Sequence, residues 1–352
     1  MAMVDWSLAR QVASLAAGSG DEGPPLADVV GLCAEMEQHV AAYTGLTLAT
    51  PVPAPELVGR ADWAAVNLDS LAGMLDPVVD RLEKRLEFAG PLAGALKAGA
   101  AATVAAEAGL VIGYVASRVL GQYEVSLLGG DAPPRLLFVA PNLRKAVREL
   151  DVEPEPFHRW ICAHELTHVF QFQGVDWLRD HLRALVRQYL SAVEVRIERG
   201  AAGGLPSLPD PAKIVEAFRE GGLAALVQTK EQRAVMGRMQ AAMAVVEGYS
   251  EHVMDAIAAE SIPGHAELRR AMDARRHSRS APERLIERLL GLNMKMRQYE
   301  QGKVFCDAVV AEAGMEALNR VWASPESLPT PPELERPLEW LTRVGPAPAA
   351  AA

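Results

Sequence analysis

The chain has 352 residues, of which 50% are hydrophobic, enough to bury one large core or two smaller ones. Its formal net charge of −10 argues against general binding to nucleic acid, which requires a basic surface. Three scattered cysteines, Cys33, Cys162 and Cys306, are too few for a disulfide framework.

The cellular compartment is predicted from the start of the chain and from its most apolar stretch. The first residues include an early acid and lack a basic segment followed by a long apolar run, so we expect no secretory signal. The Ala/Gly-rich stretch at 91–120 contains Lys97, Glu107 and Arg118. A charge near the centre of a bilayer costs about 3 kcal/mol, so this stretch predicts a packed helix rather than a membrane span. We therefore expect a cytoplasmic protein.

The N-terminal region, residues 1–122, is predicted to be helical. A proline-rich link at 51–55 cannot be helical and is expected to be extended. Asp62 is expected to be the N-cap of the helix after this link. Helices are predicted at 5–17, at 26–43, from 62 onward and at 91–120.

The clearest β signal follows this region. Residues 123–128 and 135–139 flank a loop rich in glycine and proline, a pattern that predicts a hairpin. Asn142 is expected to cap a helix that ends at Leu150. A further helix is predicted at 157–173, with Gly174 as its C-terminal cap.

The rest of the chain is predicted to be helical with interruptions. The helix after Asp176 is expected to run to about Glu198. The arginine-rich tract at 269–279 is expected to be a solvated loop, although its charge also suits an acidic group of a substrate. Other predicted segments are a Gly/Pro linker at 200–211, helices at 229–260, 282–290 and 292–314, and a disordered tail at 346–352.

The chemistry of the chain centres on the pentapeptide His164-Glu-Leu-Thr-His168. On a helix, His164 and His168 lie one turn apart on the same face, where both imidazoles can bind one zinc ion. Glu165 between them is the candidate general base, because a carboxylate must accept the proton of a zinc-activated water. His158 lies off this face and is expected to belong to the start of the helix. The pattern is typical of a zinc hydrolase.

A catalytic zinc usually has a third protein ligand. On a helix, Glu247, Glu251 and Asp255 lie within about 80° of one another, so that one face carries three carboxylates. Such acids on an apolar face are costly unless a cation or donors meet them. We assign Glu247 as the ligand, and Glu251 or Asp255 as partners of the histidine ring N–H groups. Glu251 or His252 as the ligand remains the alternative.

Hydrolysis of an amide also needs a donor to the developing oxyanion. Tyr299 is our candidate, and the residue pattern leaves Arg297, Tyr249 and His252 open as well.

The predicted hairpin has two possible roles. A free strand edge beside the site can pair with an extended peptide, or the hairpin can simply cover the core.

Several segments together resemble a known family. They are Val119–Tyr123, Phe138–Asn142, the pentapeptide, Glu247–Asp255 and Arg297–Gly302. In this order they resemble the zincin-like hydrolases of actinobacteria and their relatives, described as zinc-dependent metalloproteases or as proteins associated with deazaflavin-cofactor biosynthesis. Glu247-Gly-Tyr-Ser-Glu251 also looks like the third-ligand segment of the gluzincin clan.

This resemblance implies a zincin-like core with Zn²⁺ on His164, His168 and Glu247 and with Glu165 as the base. In better-known gluzincins the third ligand often follows the second histidine much more closely, whereas 78 residues separate His168 from Glu247 here. The intervening segment is expected to form one wall of the cleft. The resemblance does not identify a substrate.

We therefore predict an α+β fold that is predominantly helical, with a zincin-like core and a small hairpin or sheet before the HExxH helix. The expected organisation is a helical region at 1–122, a catalytic region at 123–345 and the tail. The expected function is zinc-dependent hydrolysis of a peptide or amide bond. A non-catalytic zinc scaffold and a hydrolase of small amides in cofactor metabolism are the alternatives. We expect a peptide or small amide as substrate, and neither nucleic acid nor membrane as a partner.

Overall fold

The computed structural model describes residues 4–20, 26–86, 93–125, 133–191, 230–277 and 292–345. The elements are, in chain order, α1 (Trp6–Ala17), α2 (Val29–Thr44), β1 (Pro55–Val58), α3 (Arg60–Leu86), α4 (Ala93–Ala116), β2 (Gly121–Glu124), β3 (Arg135–Val139), α5 (Ala140–Leu150), α6 (Pro154–Gly174), α7 (Leu178–Ser191), α8 (Lys230–Ser261), α9 (His265–His277), α10 (Leu292–Leu318), α11 (Pro331–Leu334) and α12 (Pro337–Val344). The segments predicted at 200–211, 282–290 and 346–352 lie outside the described residues.

The fold is predominantly helical with one small sheet, which confirms the predicted fold class. The order of the strands is β1-β3-β2, and β2 is antiparallel to β3, as the hairpin prediction requires. The central strand β3 is apolar and its residues Leu136–Val139 are fully buried.

The prediction did not include β1, which pairs in parallel with β3 from Pro55 opposite Leu136 to Val58 opposite Val139. Its sequence is short and begins with a proline, and its partner lies far along the chain. Such a parallel pairing depends on tertiary contacts rather than on a local pattern.

The two residues predicted to be helix N-caps, Asp62 and Asn142, have roles in the structure other than the predicted one. Asp62 is not the N-cap, because α3 already begins at Arg60. Its carboxylate instead accepts a hydrogen bond from the backbone N–H of Gly59 at 3.2 Å. This is the reach-back bond of a capping box, which satisfies an otherwise free donor at the helix start.

Asn142 likewise lies inside the first turn of α5, which begins directly after β3 and has no side-chain cap. The buried Asn142 amide donates to the carbonyls of Ala116 (2.8 Å) and Val119 (2.6 Å) at the end of α4. Its side-chain oxygen accepts from the Arg60 guanidinium at 2.7 Å. Asn142 therefore ties α3, α4 and α5 together near the sheet.

The small-residue helix predicted at 91–120 is observed as α4, and it packs closely against α1. A Cβ on Gly109 would lie 2.5 Å from the carbonyl oxygen of Ala9, and one on Gly113 would lie 2.5 Å from that of Ala13. Glycine is therefore needed where the two backbones approach. Among the described residues, none of the helices is apolar over a length sufficient to cross a membrane.

By internal contacts the chain forms two compact units, Met1–Arg179 with Val253–Ala274, and Asp180–His252 with Arg275–Ala352. The sheet and α6 belong to the first unit. In the second, α8 and α10 touch at Gly248 and Gly302, where a Cβ on either glycine would collide with the backbone of the other helix. The predicted division at residue 122 remains a prediction.

Helix α6 is buried along most of its length, which explains the apolar residues around the pentapeptide. It packs on α2, where the sulfur atoms of Cys33 and Cys162 lie 3.0 Å apart. One turn earlier, His158 is 1% exposed, and its two ring nitrogens have no hydrogen-bond partner within the described residues. Burial lowers the pKa of His158 from 6.5 to about 4.

The pKa of His158 predicts a loss of stability in acid. Between pH 6.5 and pH 4 the unfolded chain binds a proton at this residue that the folded chain does not bind, so the free energy of unfolding falls as pH falls. We expect a loss of roughly 2 kcal/mol between pH 7.5 and pH 4.5 from this residue. Urea unfolding of the metal-free His158→Leu variant should show a pH dependence weaker by this amount. His39→Leu, at an exposed histidine, is the control; equal pH dependence in wild type and His158→Leu would contradict the prediction.

Candidate metal centre

The pentapeptide lies in the middle of α6, as predicted. The helix begins at Pro154, one turn earlier than expected, because proline fits the first helical turn, where its missing N–H is not needed. It ends at Gly174, but the cap is Val175 in an extended conformation. Gly174 is therefore not a left-handed cap. It allows close approach instead, because a Cβ there would lie 2.8 Å from the carbonyl oxygen of Thr47.

The two histidines face one another as ligands of one ion would. Their Nε2 atoms are 3.3 Å apart, and their rings are nearly perpendicular, with centroids separated by 4.8 Å. Two nitrogens bound tetrahedrally to one zinc at about 2.0–2.1 Å are themselves about 3.3 Å apart. The spacing of His164 and His168 thus fits a shared zinc ion.

The outer nitrogen of His168 is held by Gln171. Nδ1 of His168 lies 2.9 Å from Oε1 of Gln171, and both side chains are buried. Because a carboxamide oxygen can only accept, Nδ1 carries the proton and Nε2 keeps the lone pair that a metal needs. Gln171 was not among the residues predicted for the site, although its position three residues after His168 places it on the same helix face.

The third member of the group is Glu247 on α8. One ligand atom from each of His164, His168 and Glu247 lies within 4.8 Å of the others, so this set could hold a metal ion. Two imidazoles and a carboxylate are a donor set that suits zinc and leaves a position for water.

Glu165 is buried, with 6% of its surface exposed, and lies against the first residue of β2. A Cβ on Gly121 would lie 2.8 Å from Oε1 of Glu165. Glycine at this position therefore gives the carboxylate its space and brings the start of β2 to the candidate base. Gly121 precedes the strand predicted at 123–128, whereas the observed strand β2 already begins at this glycine.

Asp255 forms an ion pair with Arg269, and the role predicted for Asp255 beside the histidines remains a prediction. Its carboxylate accepts a hydrogen bond from Arg269 at 2.7 Å, and Arg269 also contacts Asp273 at 3.2 Å. The residues His265–His277 form α9, so the prediction of a solvated loop is wrong there. The helix is held by the buried side chains of Leu268 and Met272, one turn apart, and by ion pairs of the partly buried Arg269. The role predicted for Glu251 remains a prediction.

The oxyanion candidates occupy different places. The phenol of Tyr249 is fully buried, donates to Asn319 at 2.8 Å and packs against Trp322. His252 contacts the carboxylate of Asp307 through Nδ1 at 2.7 Å. Tyr299 and Arg297 lie in α10, but their side chains are outside the described part of the structure.

The histidine pair, the adjacent carboxylate and the α+β fold together define the class of HExxH metallohydrolases. A family model for zincin-like metallopeptidases matches residues 4–341, and the chain belongs to this family. The resemblance seen in the sequence is thereby confirmed, and the family implies zinc as the metal.

The chain is also similar to a solved structure, that of a proposed hydrolase with a novel fold from Chloroflexus aurantiacus. The two are 30% identical with a TM-score of 0.70, and the match covers 97% of this chain and 98% of the other. Comparison with curated proteins found no significant match.

Proposed function

We propose that the protein is a zinc-dependent hydrolase of peptide bonds in which His164, His168 and Glu247 hold the metal. The observation that carries this proposal is the convergence of the three ligand atoms beside the buried Glu165. A structural zinc site normally closes all four positions with protein ligands and has no use for such a carboxylate.

Each residue has a defined task in this scheme. Bound zinc supplies the Lewis acidity that polarises a carbonyl and acidifies water. Glu165 accepts the proton of the attacking water and delivers it to the leaving amine, so that its carboxylate ends as it began. Gln171 keeps the ring of His168 in the tautomer that leaves Nε2 free for the metal.

The edge strand beside Glu165 favours a peptide over a small amide. Strand β2 pairs with β3 on one side, and within the described residues no strand pairs with its other side. An extended peptide can add to such an edge through main-chain hydrogen bonds. Because Gly121 at the start of β2 touches Glu165, a peptide on this edge would pass the base.

The test is hydrolysis by the purified protein, loaded with zinc, of a mixture of proteome-derived peptides and a panel of small N-acyl amides. We expect peptide cleavage that 1,10-phenanthroline abolishes and added zinc restores, because the activity depends on the metal. Cleavage of the small amides alone would contradict the peptide substrate and retain the hydrolase. A protein that binds zinc and cleaves nothing in either panel would contradict hydrolysis and favour a zinc-binding scaffold.

A further inference from the structure

The two faces of β2 carry different side chains. Gly121 and Tyr123 lie on the face toward α6, where Gly121 meets Glu165 and the Tyr123 ring packs beside Phe172 with centroids 6.2 Å apart. Gln122 lies on the opposite face, where it exchanges hydrogen bonds with a side chain of α3. Tyr123 therefore shares the face of the candidate base.

Two side chains, Thr50 and Gln173, form a chain of hydrogen bonds that ends at the Tyr123 hydroxyl. The hydroxyl of Thr50 donates to Oε1 of Gln173 at 2.9 Å, and the amide nitrogen of Gln173 faces Tyr123. That nitrogen donates to the phenol oxygen at 3.1 Å. An amide N–H cannot accept, so the phenol proton must point elsewhere. Within the part of the chain that the structure describes, it has no acceptor.

The electrostatic surroundings favour an anionic acceptor. Burial raises the pKa of Tyr123 above its ordinary value of 10, so the phenol keeps its proton at neutral pH. The positive charge of Arg179 acts in the opposite direction on this pKa, because it favours the phenolate. A donor next to a positive charge binds a carboxylate more strongly than a neutral carbonyl, because a charge-assisted hydrogen bond is the stronger one.

The spacing along β2 locates this acceptor relative to the bond that is cleaved. Residues on one face of a strand recur every second position, about 7 Å apart. Consider a peptide that pairs antiparallel with β2. One of its residues lies opposite Gly121, and the residue two positions earlier in the peptide lies opposite Tyr123. The residue opposite Gly121 lies beside Glu165, where the scissile carbonyl is expected.

We propose that Tyr123, with Arg179, is a specificity-determining site for an acidic side chain two residues before the residue that supplies the scissile carbonyl. This rests on the proposed function, since it takes Glu165 as the position of the chemistry. Tyr123 makes no contact with the reacting atoms in this scheme. It selects the substrate.

The test measures binding rather than turnover, by calorimetry on the zinc-loaded protein. The probes are acetyl-Glu-Ala-Ala-hydroxamate and acetyl-Gln-Ala-Ala-hydroxamate, which differ only in charge at the position in question. We expect the wild type to bind the Glu probe at least about tenfold more tightly than the Gln probe, because only the Glu probe can form a charge-assisted hydrogen bond with Tyr123. In Tyr123→Phe, this ratio should fall to within about threefold of unity, with zinc content and affinity for the Gln probe unchanged.

Tyr114→Phe, which removes a hydroxyl from α4 and keeps the ring that stacks on Arg118, is the control and should keep the wild-type ratio. Equal affinities in the wild type, a preference retained in Tyr123→Phe, or no binding of either probe would overturn the inference. The two proposals fail separately: binding with the expected preference but without peptide hydrolysis contradicts the function alone, whereas hydrolysis without the preference contradicts only the role of Tyr123.

Discussion

Glu165→Gln is expected to bind zinc like the wild type and to lose hydrolysis by about a thousandfold. The amide keeps the size of the carboxylate, so it should fit against Gly121 as Glu165 does. It cannot accept the proton of the attacking water, and loss of a positioned general base typically costs 10²–10⁴-fold. The measurement is kcat on a peptide identified in the cleavage panel, with zinc content determined on the same preparation.

Glu155→Gln provides the matched control. This residue is on the same helix, 61% of its side chain is exposed, and it forms a surface ion pair with Arg159 at 3.0 Å. Such a pair contributes at most about 1 kcal/mol, so the variant should fold, bind zinc and turn over normally. Full activity in Glu165→Gln would refute the assigned base, whereas loss of zinc in that variant would mean that Glu165 supports the metal directly.

Removal of a metal ligand is expected to abolish zinc binding. The wild type should contain about one zinc ion per chain, as expected for a site with three protein ligands. His168→Ala and Glu247→Ala should lose most of it on dialysis, because two ligands alone hold the ion poorly. Gln171→Leu removes only the partner of Nδ1, and we expect affinity to fall by about 10–100-fold. Elemental analysis and competition with a chelator measure these effects.

Two further variants make this series decisive. His39→Ala, at an exposed histidine of α2, should keep its zinc and controls for nonspecific loss of imidazole. Glu251→Ala distinguishes the carboxylates of α8. If zinc is retained in Glu247→Ala but lost in Glu251→Ala, the third metal ligand is Glu251 and not Glu247. A wild type that takes up no zinc even after addition of the metal would contradict the metal centre altogether.

Some features of the site were predictable because they are local. A spacing of four residues on a helix is sufficient to bring His164 and His168 together, whatever surrounds them. The three carboxylates of α8 were predictable for the same reason, since helical periodicity places them on one face. Glu247 was assigned among them as the ligand, the family resemblance implies the same residue, and in the structure its carboxylate lies near the two histidines.

Other features were not predictable because they join distant parts of the chain. The ion pair of Arg269 with Asp255 joins the arginine-rich tract, which was expected to be solvated, to α8. The parallel strand β1 has no local signal that separates it from an extended link. In both cases the stabilising contact is made only after the chain has folded, and a pattern within one segment carries no information about it.

The sequence by itself determined the candidate groups of the metal centre and the fold class: the pair of histidines, the glutamate between them, a carboxylate-bearing helix and a predominantly helical fold. Only the tertiary structure decided which element lies beside Glu165, the candidate base. It placed the start of β2 against Glu165, and with it Gly121 and Tyr123. The physical reason is that side-chain spacing within a helix is set by the backbone, whereas the approach of a strand to a helix is set by packing over the whole core.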